Sequence, residues 1–352
     1  MITVQFKLLP TPGQEEMLVA ASIEFISTVN DLAAYMSQQT KPEKLSCSAF
    51  KANLPSAVKD EASRNALSIV RKFNKGSVES FPVLKKPQCV WNNQNYKVKQ
   101  YAIEIPVMAD GKSKRIPIAA AIADHQTDKL NAKLGTLRIT KKNNKWIAQV
   151  AVEEAVGTAT GNKIMGVDLG LKVPAVAMTS DGKTKFAGNG RQNKFVRRRH
   201  TSKRRKLGKA KKQKAIEKMN NKEQRWMADQ DHKISRGIVD FAIKNGVGTI
   251  RMEQLDNIRQ TARTSRKNEK NLHAWSFYRL SGFIEYKANM AGIKVEYVDP
   301  AYTSQTCPMC GTLNKAKDRA YECGCGYKTH RDRVGAMNII YAPVVSGNRR
   351  PA

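Results

Sequence analysis

The chain has 352 residues, 41% of them hydrophobic, which is enough for two or three domains with a sizeable core. Its 62 lysines and arginines against 30 acidic residues give a formal net charge of +32, which favours nucleic acid over an anionic membrane surface as the partner. No run of about 18 apolar residues predicts a membrane span, and no basic stretch followed by an apolar one predicts a secretion signal. We therefore expect a cytoplasmic, nucleoid-associated protein with no membrane partner.

The first 155 residues predict a β-rich unit with a helical insert. Residues 1–10 alternate loosely between apolar and polar side chains, as a first strand does. From about 13 to 73 the apolar residues recur at three- and four-residue spacings, which predicts helices. From about 77 to 154 the pattern is typical of strands, with a hairpin expected around Asn143-Asn144.

After Gly157 the pattern changes to alternating strands and helices. KIMGVDLGL and VPAVAMTSDGKTKFAG predict three strands with a turn at Asp181-Gly182. A long basic segment leads into a helix that ends at Asn245-Gly246, and then come the strand VGTIRME, a helix ending at Gly292 and the strand IKVEYVD. This order of strands and helices is that of an RNase H-like α/β core, although a fold alone does not establish a function.

Three acidic residues have settings suited to phosphodiester cleavage by two divalent ions, which needs carboxylates that converge on metals about 4 Å apart. Asp168 lies mid-strand in the apolar run GVDLG, where an acid must be paired or bind metal. Glu253 ends the strand VGTIRME, at a carboxyl end that opens into a crevice. Asp332 opens the helical pattern in THRDRVGAMNII. Taken singly, they could be a salt-bridged strand-end acid, a partner of a nearby arginine and a helix N-cap.

Four of the six cysteines fall within residues 307–325 and predict a zinc site. In CPMCG and CGCG, twelve residues separate Cys310 from Cys323, and four thiolates around one Zn²⁺ make a closed structural site of the zinc-ribbon type. The second pair is C-x-C, one residue shorter than the usual knuckle, so its geometry must differ. Four buried free thiols are the alternative. Cys47 and Cys89 are interpreted as small hydrophobic residues.

Between Arg191 and Lys222 there are fifteen lysines or arginines and a single acid, Glu217. A charge run is usually a solvated face or a disordered tail, but this one lies between two predicted core elements, and phosphate contacts explain it more simply. The candidate nucleic-acid-binding residues are Arg197, Arg198, Arg199, Lys203, Arg204, Arg205, Lys206, Lys211 and Lys212.

Several of these motifs occur together in a known order. GVDLG, the arginine-rich segment, RMEQL, VDPAYTSQTCPMCG and CGCGYKTHRDRVGAMNI closely resemble TnpB, the transposon-encoded RNA-guided nucleases related to compact type V CRISPR effectors. The resemblance is strongest over about 160–342. It is looser at the start, where FKLLPTPGQEEML looks like the family's opening strand and first helix.

The resemblance implies a fold of the α/β plus β class. It comprises a RuvC-like (RNase H-like) nuclease core with an inserted zinc ribbon, preceded by a wedge β-barrel domain with a helical recognition insert. The implied domains are the wedge at 1–10 and 75–155, the recognition lobe at 11–74, the nuclease domain at 156–305 and 328–345, the zinc ribbon at 306–327 and a tail at 346–352.

The resemblance also implies an RNA-guided endonuclease that cuts double-stranded DNA beside a short flanking motif. Asp168, Glu253 and Asp332 would be the catalytic triad of a single site that holds Mg²⁺ or Mn²⁺. The implied zinc ligands are Cys307, Cys310, Cys323 and Cys325. The implied partners are a guide RNA and a double-stranded DNA target.

The chain departs from the family pattern in the C-x-C knuckle and in DRVGAMN, where the family commonly has Asn-Ala-Ala after the aspartate. Its short length and small recognition lobe favour limited guide contacts or a partner subunit, which could be a second copy in a homodimer. Two other functions remain open: a guided DNA-binding protein without cleavage, although such members typically lose a triad acid, and a DNA-cutting transposase.

Overall fold

The computed structural model describes residues 1–158, 161–255, 276–316 and 318–345. The chain divides into two compact units, unit 1 at 1–154 and unit 2 at 155–352. The division falls one residue before the expected end of the wedge domain. The expected tail at 346–352 lies outside the described residues.

Unit 1 is built on a seven-stranded antiparallel sheet. The strands pair in the order β2-β6-β7-β1-β5-β4-β3. The hairpin expected at Asn143-Asn144 joins β6 to β7, and both asparagines have the positive φ (54° and 56°) that a type I′ turn requires. The strands are β1 (Ile2–Leu9), β2 (Gln88–Trp91), β3 (Lys97–Lys99), β4 (Ala102–Ala109), β5 (Lys112–Ala121), β6 (Leu134–Lys142) and β7 (Lys145–Val152).

The sheet of unit 1 curls into a half-barrel. Its two edges, β2 and β3, are consecutive in the chain and only residues 92–96 join them, so the edges must lie near each other. Trp91 at one edge donates its indole N–H to the Pro106 carbonyl in β4, 3.0 Å away. Because β2 and β3 do not pair, the described strands form an open half-barrel and not the closed barrel expected from the sequence.

Two long helices pack on the sheet of unit 1, where the helical insert was predicted. Residues of α1 and α2 share one buried core with alternate residues of the strands. By length and composition alone, α1 is apolar enough to cross a membrane, although it has no uninterrupted apolar run. Nearly half of its most apolar 18-residue stretch is buried inside the protein, as in a core helix. The helices are α1 (Pro12–Ser37), α2 (Ser56–Asn74) and the short α3 (Asp124–Leu130).

Unit 2 contains a five-stranded mixed sheet with the predicted alternation of strands and helices. The strands lie in the order β10-β9-β8-β11-β12; β9 is antiparallel to β8 and β10, whereas β11 is parallel to β8 and β12. The turns expected at Gly182, Gly246 and Gly292 are present, each with a left-handed glycine. The strands are β8 (Lys163–Asp168), β9 (Ala175–Thr179), β10 (Thr184–Ala187), β11 (Val247–Glu253) and β12 (Lys294–Val298).

Helices cover both faces of this sheet. Ala175 and Ala177 of β9 face α6 and α7, whereas Val176 and Met178 pack with Ala336 of α8 on the opposite face, as the two-residue period of a strand requires. The basic segment forms α4 and α5, which the sequence did not resolve into helices. The helices are α4 (Gly190–Lys209), α5 (Gln213–Met219), α6 (Lys222–Lys244), α7 (Phe277–Met290) and α8 (Arg331–Tyr341). The hairpin β13 (Ala320–Glu322) and β14 (Lys328–His330) leads directly into α8.

Candidate active site and metal centre

Two of the three candidate acids lie at the carboxyl ends of adjacent parallel strands. Asp168 is the last residue of β8, at the strand end and not mid-strand as predicted, and Glu253 is the last residue of β11. Val167 pairs with Met252 in the parallel ladder of β8 and β11. Asp168 and Glu253, the next residue of each strand, therefore lie side by side. The carboxyl ends of parallel strands are where ligands bind in open α/β sheets.

Helix α8 brings the third acid, Asp332, to the same end of the sheet. The helix approaches β8 so closely that a Cβ on Gly166 would lie 2.0 Å from the Ala336 carbonyl oxygen. A Cβ on Gly335 would lie 3.0 Å from Asp168 Oδ2. The glycine before the acid in GVD is therefore a packing requirement, since no other residue fits under α8.

Asp332 is the second residue of α8 and is not its N-cap. His330 is the cap, and its Nδ1 accepts a hydrogen bond from the Asp332 backbone N–H at 3.2 Å. The Asp332 carboxylate pairs with Arg319 and caps no N–H of this helix, so the N-cap alternative is wrong.

Each of two acids is held by a side chain that the sequence analysis did not single out. Thr303, buried in the turn after β12, donates its hydroxyl to Glu253 Oε1. Arg319, at the start of the hairpin, pairs through Nη1 with Asp332 Oδ1. Thr303 and Glu253 are fifty residues apart in sequence. Nothing local in the sequence could have indicated either contact.

The three carboxylates also interact electrostatically. The pKa of Asp168 is raised well above its usual 3.8, first by burial and then by the like charges of Glu253 and Asp332. Burial likewise raises the pKa of Glu253, and the Thr303 hydrogen bond opposes that rise. Arg331 and Arg319 act on Asp168 in the opposite direction. The like-charge effect on Asp168 shows that its carboxyl lies near those of Glu253 and Asp332.

The donor set fits a hard divalent cation. Asp332 Oδ2 is buried and has no hydrogen-bond partner among the described residues; His330 Nδ1 lies 3.9 Å from it, beyond hydrogen-bond distance. A buried carboxylate oxygen without a partner is costly unless a cation completes it. Carboxylate oxygens are the ligands that Mg²⁺ and Mn²⁺ prefer.

The four clustered cysteines come together in one compact group. Their thiol sulfurs all lie within 4.8 Å of one another, and in the described part of the chain they are the only group of three or more metal-ligating side chains that does so. Cys307 and Cys325 are 3.7 Å apart, and Cys310 and Cys323 are 3.4 Å apart. Four Zn–S bonds of 2.3 Å would set neighbouring sulfurs about 3.8 Å apart. The cluster therefore fits zinc.

The short C-x-C knuckle is accommodated by a tighter turn. In the first knuckle the Gly311 N–H donates to the Cys307 carbonyl four residues earlier, whereas in the second the Gly326 N–H donates to the Cys323 carbonyl three residues earlier. Both glycines have a left-handed φ. Shortening the turn by one residue keeps Cys325 facing the other thiols.

The environment of Cys310 favours a thiolate. Hydrogen bonds from the Thr312 side chain and backbone lower the pKa of Cys310 to about 6, and a thiolate is the form that binds metal. The other two cysteines are separate: Cys89 is buried in the core of unit 1 and Cys47 is half-buried. Cys89 has the environment expected of a small hydrophobic residue.

The basic segment forms an exposed helix. α4 buries only Gly190, and most of its cations face solvent, including Arg198, Arg199 and Lys203. Two candidates turn towards α6 instead: Arg204 pairs with Glu223 at 2.7 Å, and Arg197 is half-buried. The remaining candidates, Arg205, Lys206, Lys211 and Lys212, are exposed.

Comparison with known structures gives the class of the fold. A solved Cas12f1 in complex with sgRNA and target DNA has a TM-score of 0.68 over 92% of this chain and 82% of that chain, at 16% sequence identity. The chain thus has the fold of a compact type V effector.

Sequence comparison gives the family. The family model "Cas12f1-like, TNB domain" matches residues 277–339, and OrfB_IS605, "Probable transposase", matches 148–259. The chain is 34% identical to the endodeoxyribonuclease Cas12f1 of Sulfoacidibacillus thermotolerans, over 56% of this chain and 50% of the relative. It is 40% identical to a TnpB-like protein of Methanocaldococcus jannaschii, over 36% of this chain and 46% of the relative.

A third relative, the Cas12f1 of Syntrophomonas palmitatica, is 30% identical over 80% of this chain and 64% of its own length. The chain belongs to the family of TnpB and compact type V effectors, which confirms the resemblance found in the sequence. It spans from about half to just under two thirds of the length of these three relatives.

Proposed function

We propose that this protein is an RNA-guided endonuclease that cuts double-stranded DNA next to a short flanking motif, at one site made by Asp168, Glu253 and Asp332. The observation that carries the proposal is the convergence of three acids on one sheet edge, with a buried Asp332 oxygen that lacks a partner. The relatives named as endodeoxyribonucleases support the same activity.

Asp168, Glu253 and Asp332 would hold Mg²⁺ or Mn²⁺, which when bound activates a water nucleophile and stabilises the leaving oxygen. The surrounding residues orient these acids. The Thr303 hydroxyl fixes one oxygen of Glu253, and Arg319 fixes one oxygen of Asp332, leaving the other buried oxygen available. Ordering the carboxylates in advance reduces the reorganisation that catalysis would otherwise require.

The remaining parts have roles that follow from their chemistry. The four cysteines would bind one Zn²⁺ and hold the hairpin that carries Arg319 and leads into Asp332. The exposed cations of α4 would contact the phosphates of the guide RNA or the target. Unit 1 would supply the wedge domain and the helical recognition lobe. Such a protein would act in the cytoplasm at the nucleoid.

The test is to express the chain with its native flanking DNA, purify it and sequence the RNA that accompanies it. One dominant RNA with a constant part from the edge of the gene is expected, and the loaded complex should then cut a matching duplex in Mg²⁺. Asp168→Ala should abolish cutting and leave RNA and target binding nearly intact. Heterogeneous RNA that is lost in moderate salt would contradict guidance, and cutting by the variant would contradict the site. Guided binding without any cutting by the wild type would identify a DNA-binding protein.

A further inference from the structure

Tyr302, in the turn between β12 and the first cysteine knuckle, has an unfavourable backbone. Its φ is 58°, in the left-handed region, and its side chain is 59% exposed. Bulky side chains rarely adopt this conformation, which glycine and asparagine tolerate far better. Strain of this kind persists only where the surroundings impose it, and it is concentrated at functional sites.

The surroundings do impose it. The Tyr302 carbonyl accepts hydrogen bonds from the backbone N–H groups of Gln305 (2.9 Å) and Thr306 (3.0 Å). Asn338 of α8 donates from Nδ2 to the carbonyls of Thr303 (2.7 Å) and Thr306 (2.8 Å). The turn is therefore fixed both internally and against the helix that carries Asp332.

No contact of the Tyr302 side chain within the described part of the chain explains this backbone conformation. Among the described residues, the Tyr302 ring has no aromatic or cation-π partner and its hydroxyl has no hydrogen-bond partner. Tyr321 nearby is the opposite case: it is fully buried, and its hydroxyl donates to the Gln305 carbonyl at 3.1 Å. Packing explains Tyr321 and does not explain Tyr302.

The acid centre adjoins Tyr302 on both sides of the turn. The next residue, Thr303, donates its hydroxyl to Glu253. Arg331, which precedes Asp332, donates from Nη2 to Ser304 Oγ at 3.2 Å. An outward-facing ring, a guanidinium and the carboxylates are thus joined through one rigid turn, which is the composition of a site for a nucleotide with an exposed base.

We propose that the Tyr302 ring is a stacking platform for an unpaired base of the strand that enters the acid centre. The inference rests on the proposed function and makes it more specific, because the strand must then be single-stranded at the point of cutting. A base inside a duplex has both faces covered by its neighbours and cannot stack on the ring.

The experiment uses the full chain and short single-stranded DNA oligonucleotides that carry the fluorescent base 2-aminopurine at successive positions, with Ca²⁺ in place of Mg²⁺ to prevent cutting. Stacking on tyrosine should quench the fluorescence at one position in the wild type and in Tyr302→Phe. Tyr302→Asn should abolish that quenching and weaken binding of the short strand about tenfold. The same sequence as a duplex should show no such quenching.

Two controls separate stacking from folding and from general charge. Asparagine accepts the left-handed backbone, so Tyr302→Asn should unfold at the temperature of the wild type or slightly above it, and Tyr302→Gly serves if it does not fold. Tyr341→Ala removes a tyrosine that is 70% exposed at the far end of α8 and should leave the quenching unchanged.

Unchanged quenching in Tyr302→Asn, its loss in Tyr302→Phe, or equal quenching of the duplex would each overturn the proposal. The proposed function fails separately, if the RNA-loaded wild type does not cut a matching target. Quenching needs no cutting, so the two failures are distinguishable.

Discussion

The cysteine cluster and the acid centre lie within one unit and differ in almost every physical respect. The four thiols lie within 4.8 Å of one another, which is the arrangement of a closed structural metal site. Within the described residues, the carboxylate oxygens of Asp168, Glu253 and Asp332 do not all lie within 4.8 Å of one another. Burial and the like charges of Glu253 and Asp332 raise the pKa of Asp168. The thiols are not uniform, because hydrogen bonds from Thr312 lower the pKa of Cys310 to about 6, whereas the pKa of Cys325 is raised to about 12.

Under the proposed function, one metal would serve structure and the other chemistry. The thiols are already arranged as a zinc ion would require, so metal binding there would mainly stabilise the fold. The acids carry unfavourable electrostatic energy and an unsatisfied carboxylate oxygen, which a bound cation would relieve. Arg319 connects the two places, because it belongs to the cysteine hairpin and contacts Asp332.

Among the changes that test how the two centres depend on each other, breaking the cysteine cluster should have the largest effect. Cys310→Ser should reduce bound zinc from about one ion per chain and loosen the hairpin, so guided cutting should fall by on the order of tenfold or more through the loss of the Arg319 contact. Metal analysis and a cleavage assay check this. Cys47→Ser, in unit 1, is the matched control and should change neither. Undiminished cutting without zinc would show that the two centres are independent.

Gly166→Ala should damage the acid centre and spare the thiols. The added Cβ would meet the Ala336 carbonyl at 2.0 Å, so α8 must move away from β8, at a cost of about 3 kcal/mol or more in unfolding free energy. Denaturant unfolding and zinc content provide the test. Gly208→Ala is the control, because that glycine lies in α4 with nothing within 4 Å and should gain about 0.5–1 kcal/mol. Equal stability of the two variants would refute the packing argument.

Asp168→Asn should stabilise the protein in the absence of divalent ions. The folded pKa of Asp168 lies above its usual 3.8, so this group favours folding below pH 3.8, and that contribution is lost as the pH rises through the folded pKa. At pH 7 the unfolding free energy of the variant should therefore be about 0.5–2 kcal/mol higher than that of the wild type. This difference should shrink as the pH falls towards 3.8. Thermal unfolding in chelator across this range measures it. A gain that grew on acidification would mean that the pKa is lowered instead.

The smallest effect is expected at Gly335. A Cβ there would lie 3.0 Å from Asp168 Oδ2, and because a carboxylate can rotate, Gly335→Ala should displace it by only a few tenths of an ångström. We expect about threefold slower cutting with unchanged stability. The cutting rates of the wild type and the variant are compared across Mg²⁺ concentrations, with Gly208→Ala again as control. A rate equal to that of the wild type would show that the oxygen has room to move.

Local sequence patterns predicted the fold better than they predicted the candidate site. The β6–β7 hairpin follows from Asn143-Asn144, since both residues accept a positive φ. The alternation of strands and helices in unit 2 was also predictable, whereas the shared site of the three acids stays a prediction. The helical state of α4 was not, because a run of like charges carries no apolar period to indicate it.

The contacts that complete the acid centre lie beyond any local pattern. Thr303 reaches Glu253 across fifty residues, and Arg319 reaches Asp332 across a hairpin. The role of His330 as N-cap was missed because histidine is not among the usual capping residues. The half-barrel of unit 1 was missed because the sequence does not show which strand edges pair.

The contact between Gly166 and the Ala336 carbonyl affects how such chains are recognised from their sequences. The glycine in GVD is required by the approach of α8, whereas the aspartate two residues later is required by the proposed chemistry. A chain that kept this helix packing but had lost the acid would still need the glycine. Motif searches weighted on glycine therefore detect an architecture, and under the proposed function the residues at the three acid positions would separate a cutting enzyme from a DNA-binding descendant.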